Sequence, residues 1–148
     1  MAPLIALLAG SVVARIVGWA GVDYVDNWTK AIAVGLAAMF VLTGGAHFAP
    51  PLRAALIAIV PPQLPTPGLL VTVTGVLELL GAVGLLVPAT RVAAAVCLLL
   101  LMVAMFPANI YAARMPNPPK SMTTQLPLRT AEEIVYLAAA VVVAIGGC

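Results

Sequence analysis

The chain has 148 residues, of which 64% are hydrophobic and 8% charged, and its mean hydropathy is +1.16. Soluble domains carry about 25% charged residues, so this composition excludes an ordinary soluble domain and specifies an integral membrane protein, with length for one compact helical domain over 1–148. The formal charge of +2 rests on seven basic residues that form no cluster interleaved with aromatics. That leaves membrane lipids as partners, with a modest pull toward anionic headgroups, and argues against nucleic acid.

Five apolar segments follow one another, at about 3–22, 31–48, 68–87, 91–113 and 131–146. A span takes roughly 20 residues, which puts the second and fifth at the short end. Only helices and closed barrels satisfy the backbone in lipid, and no period-2 alternation suggests strands. The expected fold is therefore an all-α membrane protein: a four-helix transmembrane bundle plus one extra N-terminal transmembrane helix, five spans in all. The first segment reads as a retained span rather than a signal peptide, because Met1-Ala2-Pro3 lacks a basic residue and Arg15 interrupts the apolar run. Arg15 is expected to snorkel toward Asp23 and Asp26 or to pair within the bundle.

Proline marks the loops. The segment 49–67 holds six prolines around Leu52–Val60, where Leu52, Leu56, Ile59 and Val60 share one helical face. That piece is too short to span and reads as a short interfacial or re-entrant helix at about 52–60. The third and fourth spans form a hairpin through Pro88-Ala89-Thr90, and the loop 114–130 is polar and proline-rich. With spans alternating, Arg53, Arg114, Lys120 and Arg129 share a face with the N-terminus, and Lys30 and Arg91 share the other. The basic excess makes loops 49–67 and 114–130 the cytoplasmic ones. Small residues at Ala89, Ala93 and Cys97, at Ala140 and Ala144, and at Gly75, Gly81 and Gly84 are expected to carry helix contacts. Of the two cysteines, Cys97 reads as a packing residue and Cys148 as a frayed terminal thiol.

Glu78 is the residue that composition does not explain. It lies in the middle of the run GLLVTVTGVLELLGAVGLLV, where a carboxyl costs on the order of 3 kcal/mol to insert. Counting about 1.5 Å per residue places it about 15 Å deep. The alternating topology brings His47, Glu78, Asn109 and Glu133 to one half of the bundle, as a polar pocket open toward one face. His47 and Glu78 are candidate proton donors or acceptors, and Asn109 and Glu133 candidate ligand contacts. Each has a plainer role: His47 as a cap, Glu78 bonded to Thr72, Thr74, His47 or a tyrosine, Asn109 repairing the break at Pro107, Glu132 and Glu133 drawn to a helix N-terminus. One histidine cannot supply bis-histidine haem ligation, no Cys/His spacing suggests a metal, and no electron carrier is evident.

Four ordered stretches carry a family resemblance. Gly44-Gly45-Ala46-His47-Phe48-Ala49-Pro50, Val60-Pro61-Pro62-Gln63-Leu64-Pro65, Thr74 to Leu86 and Met105-Phe106-Pro107-Ala108-Asn109-Ile110-Tyr111 resemble the signature segments of DoxX-like membrane proteins. The resemblance covers about 31–146. It implies a four-helix core, with the first span an extension, in a bacterial cytoplasmic membrane. It departs after Leu126-Pro127-Leu128-Arg129, where Glu132-Glu133 stand in place of an expected glutamine. It also implies redox biology, since the family name comes from a thiosulfate:quinone oxidoreductase. The leading expectation is a small subunit of a membrane-bound redox assembly, at most a non-autonomous oxidoreductase, whose pocket holds a quinone-like head group while a partner protein supplies electrons. The alternatives are a non-enzymatic binder or carrier of a lipid-like molecule, an intramembrane isomerase using Glu78 and His47, and a purely structural packing partner. Homo-oligomerisation is left open.

Overall fold

Buried in lipid, a backbone must bond to itself, and the described residues do so with helices and no strand. The computed structural model describes residues 1–123 and 125–146; Cys148 lies outside the described residues. Six α-helices follow in order: α1 Ala2–Trp19, α2 Trp28–Ala46, α3 Pro50–Ala58, α4 Pro67–Leu86, α5 Arg91–Arg114 and α6 Leu126–Gly146. Helices α1, α2, α4 and α5 are long and apolar enough to cross a membrane. Helix α6 is also long, at 21 residues, but Arg129, Glu132 and Glu133 load its first turns with charge.

Local chemistry sets the helix ends. Asn27 accepts the backbone N–H of Lys30 at 3.0 Å and caps α2, so that helix starts at Trp28 rather than near 31. Gly21, with φ of 102°, takes the left-handed conformation that stops α1 at Trp19 rather than near 22. Pro50 and Pro51 fill the first turn of α3, which therefore runs 50–58 rather than 52–60. The largest correction is α6. It begins at Leu126, not at 131, because Pro127 falls in a first turn where its missing N–H costs nothing. Glu132 and Glu133 are thus in the second turn, and attraction to a helix N-terminus does not account for them.

Helix α2 is the central element: it packs against α1, α4 and α6, while α5 closes the bundle against α4 and α6. Leu36, Leu85, Leu98 and Val143 are fully buried at the meeting of these helices. At the α1–α2 crossing, a Cβ on Gly35 would fall 2.1 Å from the Ser11 hydroxyl oxygen, so only glycine lets the backbones meet there. Gly81 and Gly84 lie against Leu98 and Ala94 in the same way, and Ala140 is buried in the core. The stripe Ala89, Ala93 and Cys97 does not carry a contact: all three are exposed, and α5 turns Ala94, Ala95 and Leu98 inward instead.

The polar residues sort to the two ends of the bundle. At one end Arg15 stacks on Trp19 and Trp28, with its guanidinium carbon 4.9 and 5.9 Å from the ring centres. This is the end where Asp26 lies, paired with Lys30 at 2.8 Å. The lysine holds the Asp26 carboxyl below its usual range. There too the Tyr24 hydroxyl donates to the Leu86 carbonyl, and Arg91 donates from Nε to the Leu85 carbonyl at 3.0 Å. The opposite end holds His47, Arg53, Asn109 and Arg129, and it is hollow.

Candidate functional site

Glu78 lies near the middle of α4 and faces α2, with only 4% of its surface exposed. Its partner is Thr43, whose hydroxyl donates to Oε2 at 2.6 Å. Thr72 and Thr74, the expected partners, are turned to their own helix and bond the carbonyls of Gly68 and Leu70. His47 is buried as well, one turn beyond Thr43. Its Nδ1 lies 2.9 Å from the Thr43 carbonyl. A carbonyl only accepts, so Nδ1 carries the proton and, in the neutral ring, Nε2 keeps its lone pair. Thr43 therefore links the two residues through different atoms, without a direct bond between them. The approach of α4 to α2 that permits this depends on Gly75, where a Cβ would fall 2.5 Å from His47 Cβ.

Beside these groups is a cavity of about 470 Å³. His47, Glu78, Asn109 and Glu133 all line it, so residues from four helices and their ends meet around one space. Asn109 does not spend its side chain repairing the helix at Pro107. The helix continues through that proline to Arg114, and Asn109 Oδ1 accepts from Arg129 Nη1 at 3.3 Å. Arg129 also donates from Nη2 to the Met122 carbonyl at 2.6 Å, which holds Ser121 and Met122 against the cavity. Glu132 lies 3.0 Å from the Met1 amino group. Tyr136 reaches the same cavity, and its buried hydroxyl bonds to nothing in the protein among the described residues.

The other walls are apolar and soft. Five of the six methionines in the chain, Met1, Met39, Met102, Met105 and Met122, line this cavity, with Phe40 among them. Thioether side chains adapt to irregular shapes more readily than branched ones. A short strap closes the rim. Leu52 and Leu56 of α3 face the cavity, and Arg53 ties that helix down by donating to the His47 carbonyl, the Gly68 carbonyl and the Thr72 hydroxyl at 2.9–3.1 Å. No group of three or more His, Cys, Asp or Glu side chains placed to hold a metal occurs among the described residues.

A family model described as a domain of unknown function, DUF8561, matches residues 36–145. The chain belongs to this family. No curated protein and no solved structure matches it. The DUF8561 stretch starts within α2 and ends within α6, so Thr43, His47, Glu78, Asn109, Arg129, Glu133 and Tyr136 all fall inside it while α1 falls outside. Within it, the sequence reading missed Thr43, Arg129 and Tyr136. Spacing held a signal for two of them. Thr43 precedes His47 by four residues, and Tyr136 follows Glu132 and Glu133 by four and three, so each shares a helix face with a residue already singled out.

Proposed function

We propose that this protein binds a quinone-like molecule in the cavity and serves as a small helical subunit of a membrane-bound redox assembly. The observation that carries the reading is the pairing of a buried, protonatable group with an adaptable apolar wall. Glu78 and His47, joined through Thr43, face a methionine-lined space of about 470 Å³, which is the size of a small-molecule site. Reduction of a quinone consumes two electrons and two protons. His47 and Glu78 would deliver protons, Asn109 and Glu133 would contact the head group, and a partner carrying a flavin or haem would supply the electrons. The resemblance to DoxX-like proteins supports the same reading by analogy alone.

The reading treats the chain as five spans. Helix α6 runs from the cavity end, at Glu132, to Gly146 beside Thr29 at the opposite end, so it matches the length of its neighbours. Its early charges then face the cavity and the membrane boundary rather than lipid. Helix α3 would lie at the interface, with Arg53 toward the headgroups, and loops 49–67 and 114–130 would be cytoplasmic in a bacterial membrane. The methionine lining also suits a second reading, a non-enzymatic carrier of a lipid-like molecule, in which Glu78 sets polarity rather than moving protons.

The test is mass spectrometry of small molecules retained by the protein purified in lipid nanodiscs. Wild type is expected to retain a quinone that Glu78→Gln and His47→Ala both lose while remaining folded. A retained lipid, with no quinone, selects the carrier reading; a ligand indifferent to both substitutions refutes a functional pocket.

A further inference from the structure

The geometry points to Tyr136 as the residue that recognises the ligand, by donating its hydroxyl hydrogen to a carbonyl oxygen of the head group. This rests on the quinone-binding reading above and assigns the head group's place within the cavity.

Among the side chains at the polar end of the cavity, most are already engaged. Thr43 holds Glu78, the Thr43 carbonyl holds His47, Arg129 holds Asn109, and the Met1 amino group neighbours Glu132. Two buried atoms in this lining make no hydrogen bond within the protein among the described residues, Glu132 Oε1 and the Tyr136 hydroxyl. Glu132 Oε1 has the Met1 ammonium 3.0 Å away as an ion partner, whereas the tyrosine hydroxyl is a donor with no such neighbour, although a buried tyrosine hydroxyl normally finds a partner. Leaving such a group unpaired costs about 1–3 kcal/mol, so its position calls for an acceptor that the cavity itself brings. Tyr136 sits one turn after Glu132 and Glu133 on α6, and Glu78 of α4 lines the same space. The anionic or proton-bearing groups cluster there, and the methionine wall takes up the rest of the cavity. A ring with a carbonyl toward Tyr136 and an apolar body along Met39, Met102 and Met105 uses both kinds of wall. A plain hydrocarbon chain would use only one and would leave the hydroxyl unpaired.

The orphan hydroxyl gives two effects of opposite sign. Without ligand, Tyr136→Phe removes an unsatisfied polar atom, so the protein should be as stable as wild type or more so. With ligand, the same variant loses its hydrogen bond, and the Kd should rise about five- to tenfold. The experiment measures thermal unfolding of wild type and Tyr136→Phe in nanodiscs, with and without decylubiquinone titrated as the probe. Wild type stabilised by the probe, with Tyr136→Phe equally stable alone but bound several-fold more weakly, supports the assignment. Equal stabilisation of both proteins overturns the role of Tyr136 and leaves the quinone-binding reading standing. A variant that is less stable without probe shows a structural hydroxyl and overturns the assignment as well. No stabilisation of wild type at all overturns the quinone-binding reading and, with it, this one.

Discussion

At Thr43 one small side chain and its own carbonyl serve two larger neighbours. Replacing it by valine keeps the shape and removes only the hydroxyl. Glu78 then loses the donor 2.6 Å away and stays buried, which should destabilise the protein by about 1–3 kcal/mol, whereas Thr43→Ser should restore most of the loss. Unfolding in detergent or nanodiscs measures this, and an unchanged midpoint for Thr43→Val would show that Glu78 does not depend on that hydroxyl. Gly75→Ala tests the same place from the α4 side. Its new Cβ would meet His47 Cβ at 2.5 Å, so the helices must separate, at a cost of about 1–3 kcal/mol. The sequence marked Glu78, His47, Asn109 and Glu133 because polar groups in or beside apolar runs are conspicuous. It did not mark Thr43 or Tyr136, since a threonine in such a helix ordinarily bonds its own backbone, as Thr72 and Thr74 do here, and an interfacial tyrosine is ordinary. Which hydroxyl turns toward Glu78 depends on the rotation of α2 against α4, and hydrophobic periodicity in a helix apolar on nearly every side does not fix that rotation.

Among the elements, the long apolar helices were the legible ones, because lipid leaves the backbone little choice. The start of α6 was not. Prolines in 114–130 read as loop, yet Pro127 is compatible with a first turn, and the helix gains five residues, 126–130, that carry Arg129 to the cavity. The short helix α3 was legible as an amphipathic piece, and its tether became visible only in three dimensions. Arg53 makes three bonds, to the carbonyls of His47 and Gly68 and to the Thr72 hydroxyl. Cutting it with Arg53→Ala should release α3 without disturbing the bundle. Amide exchange across 52–58 should then quicken by about tenfold or more, the equivalent of one charge-assisted hydrogen bond of about 1.5 kcal/mol, while exchange in α5 stays as in wild type. Arg53→Lys should recover little, because one ammonium cannot reach the partners that a planar fork does. Equal acceleration in α3 and α5 would show that Arg53 holds up the whole bundle rather than this one helix.

For the whole molecule, the decisive question is which end of the bundle meets the cytoplasm. The structure separates two polar ends: one with Arg15, Asp26, Lys30 and Arg91, the other with Arg53, Arg114, Lys120, Arg129 and the cavity. In the proposed reading, four basic residues at the cavity end against three at the other would turn the cavity to the cytoplasm, the source of the protons that quinone reduction would draw. A single exposed cysteine reports this directly. In a Cys97→Ala, Cys148→Ala background, Val22→Cys lies at the Arg15 end and Ser121→Cys at the cavity end, both at exposed positions. On intact cells a membrane-impermeant maleimide should label Val22→Cys and leave Ser121→Cys unmodified until the membrane is opened. Cys97 itself is exposed on the flank of α5, where lipid would cover it, so in the native chain it should react with a lipophilic maleimide and resist the impermeant one. The reverse labelling of the two loop cysteines would place the cavity mouth outside, and the proposed proton delivery through His47 and Glu78 would then have to draw on the external side. Labelling of both in intact cells would break the topology itself, since α2, α4 and α5 put three crossings between Val22 and Ser121, and two positions on one side need an even number.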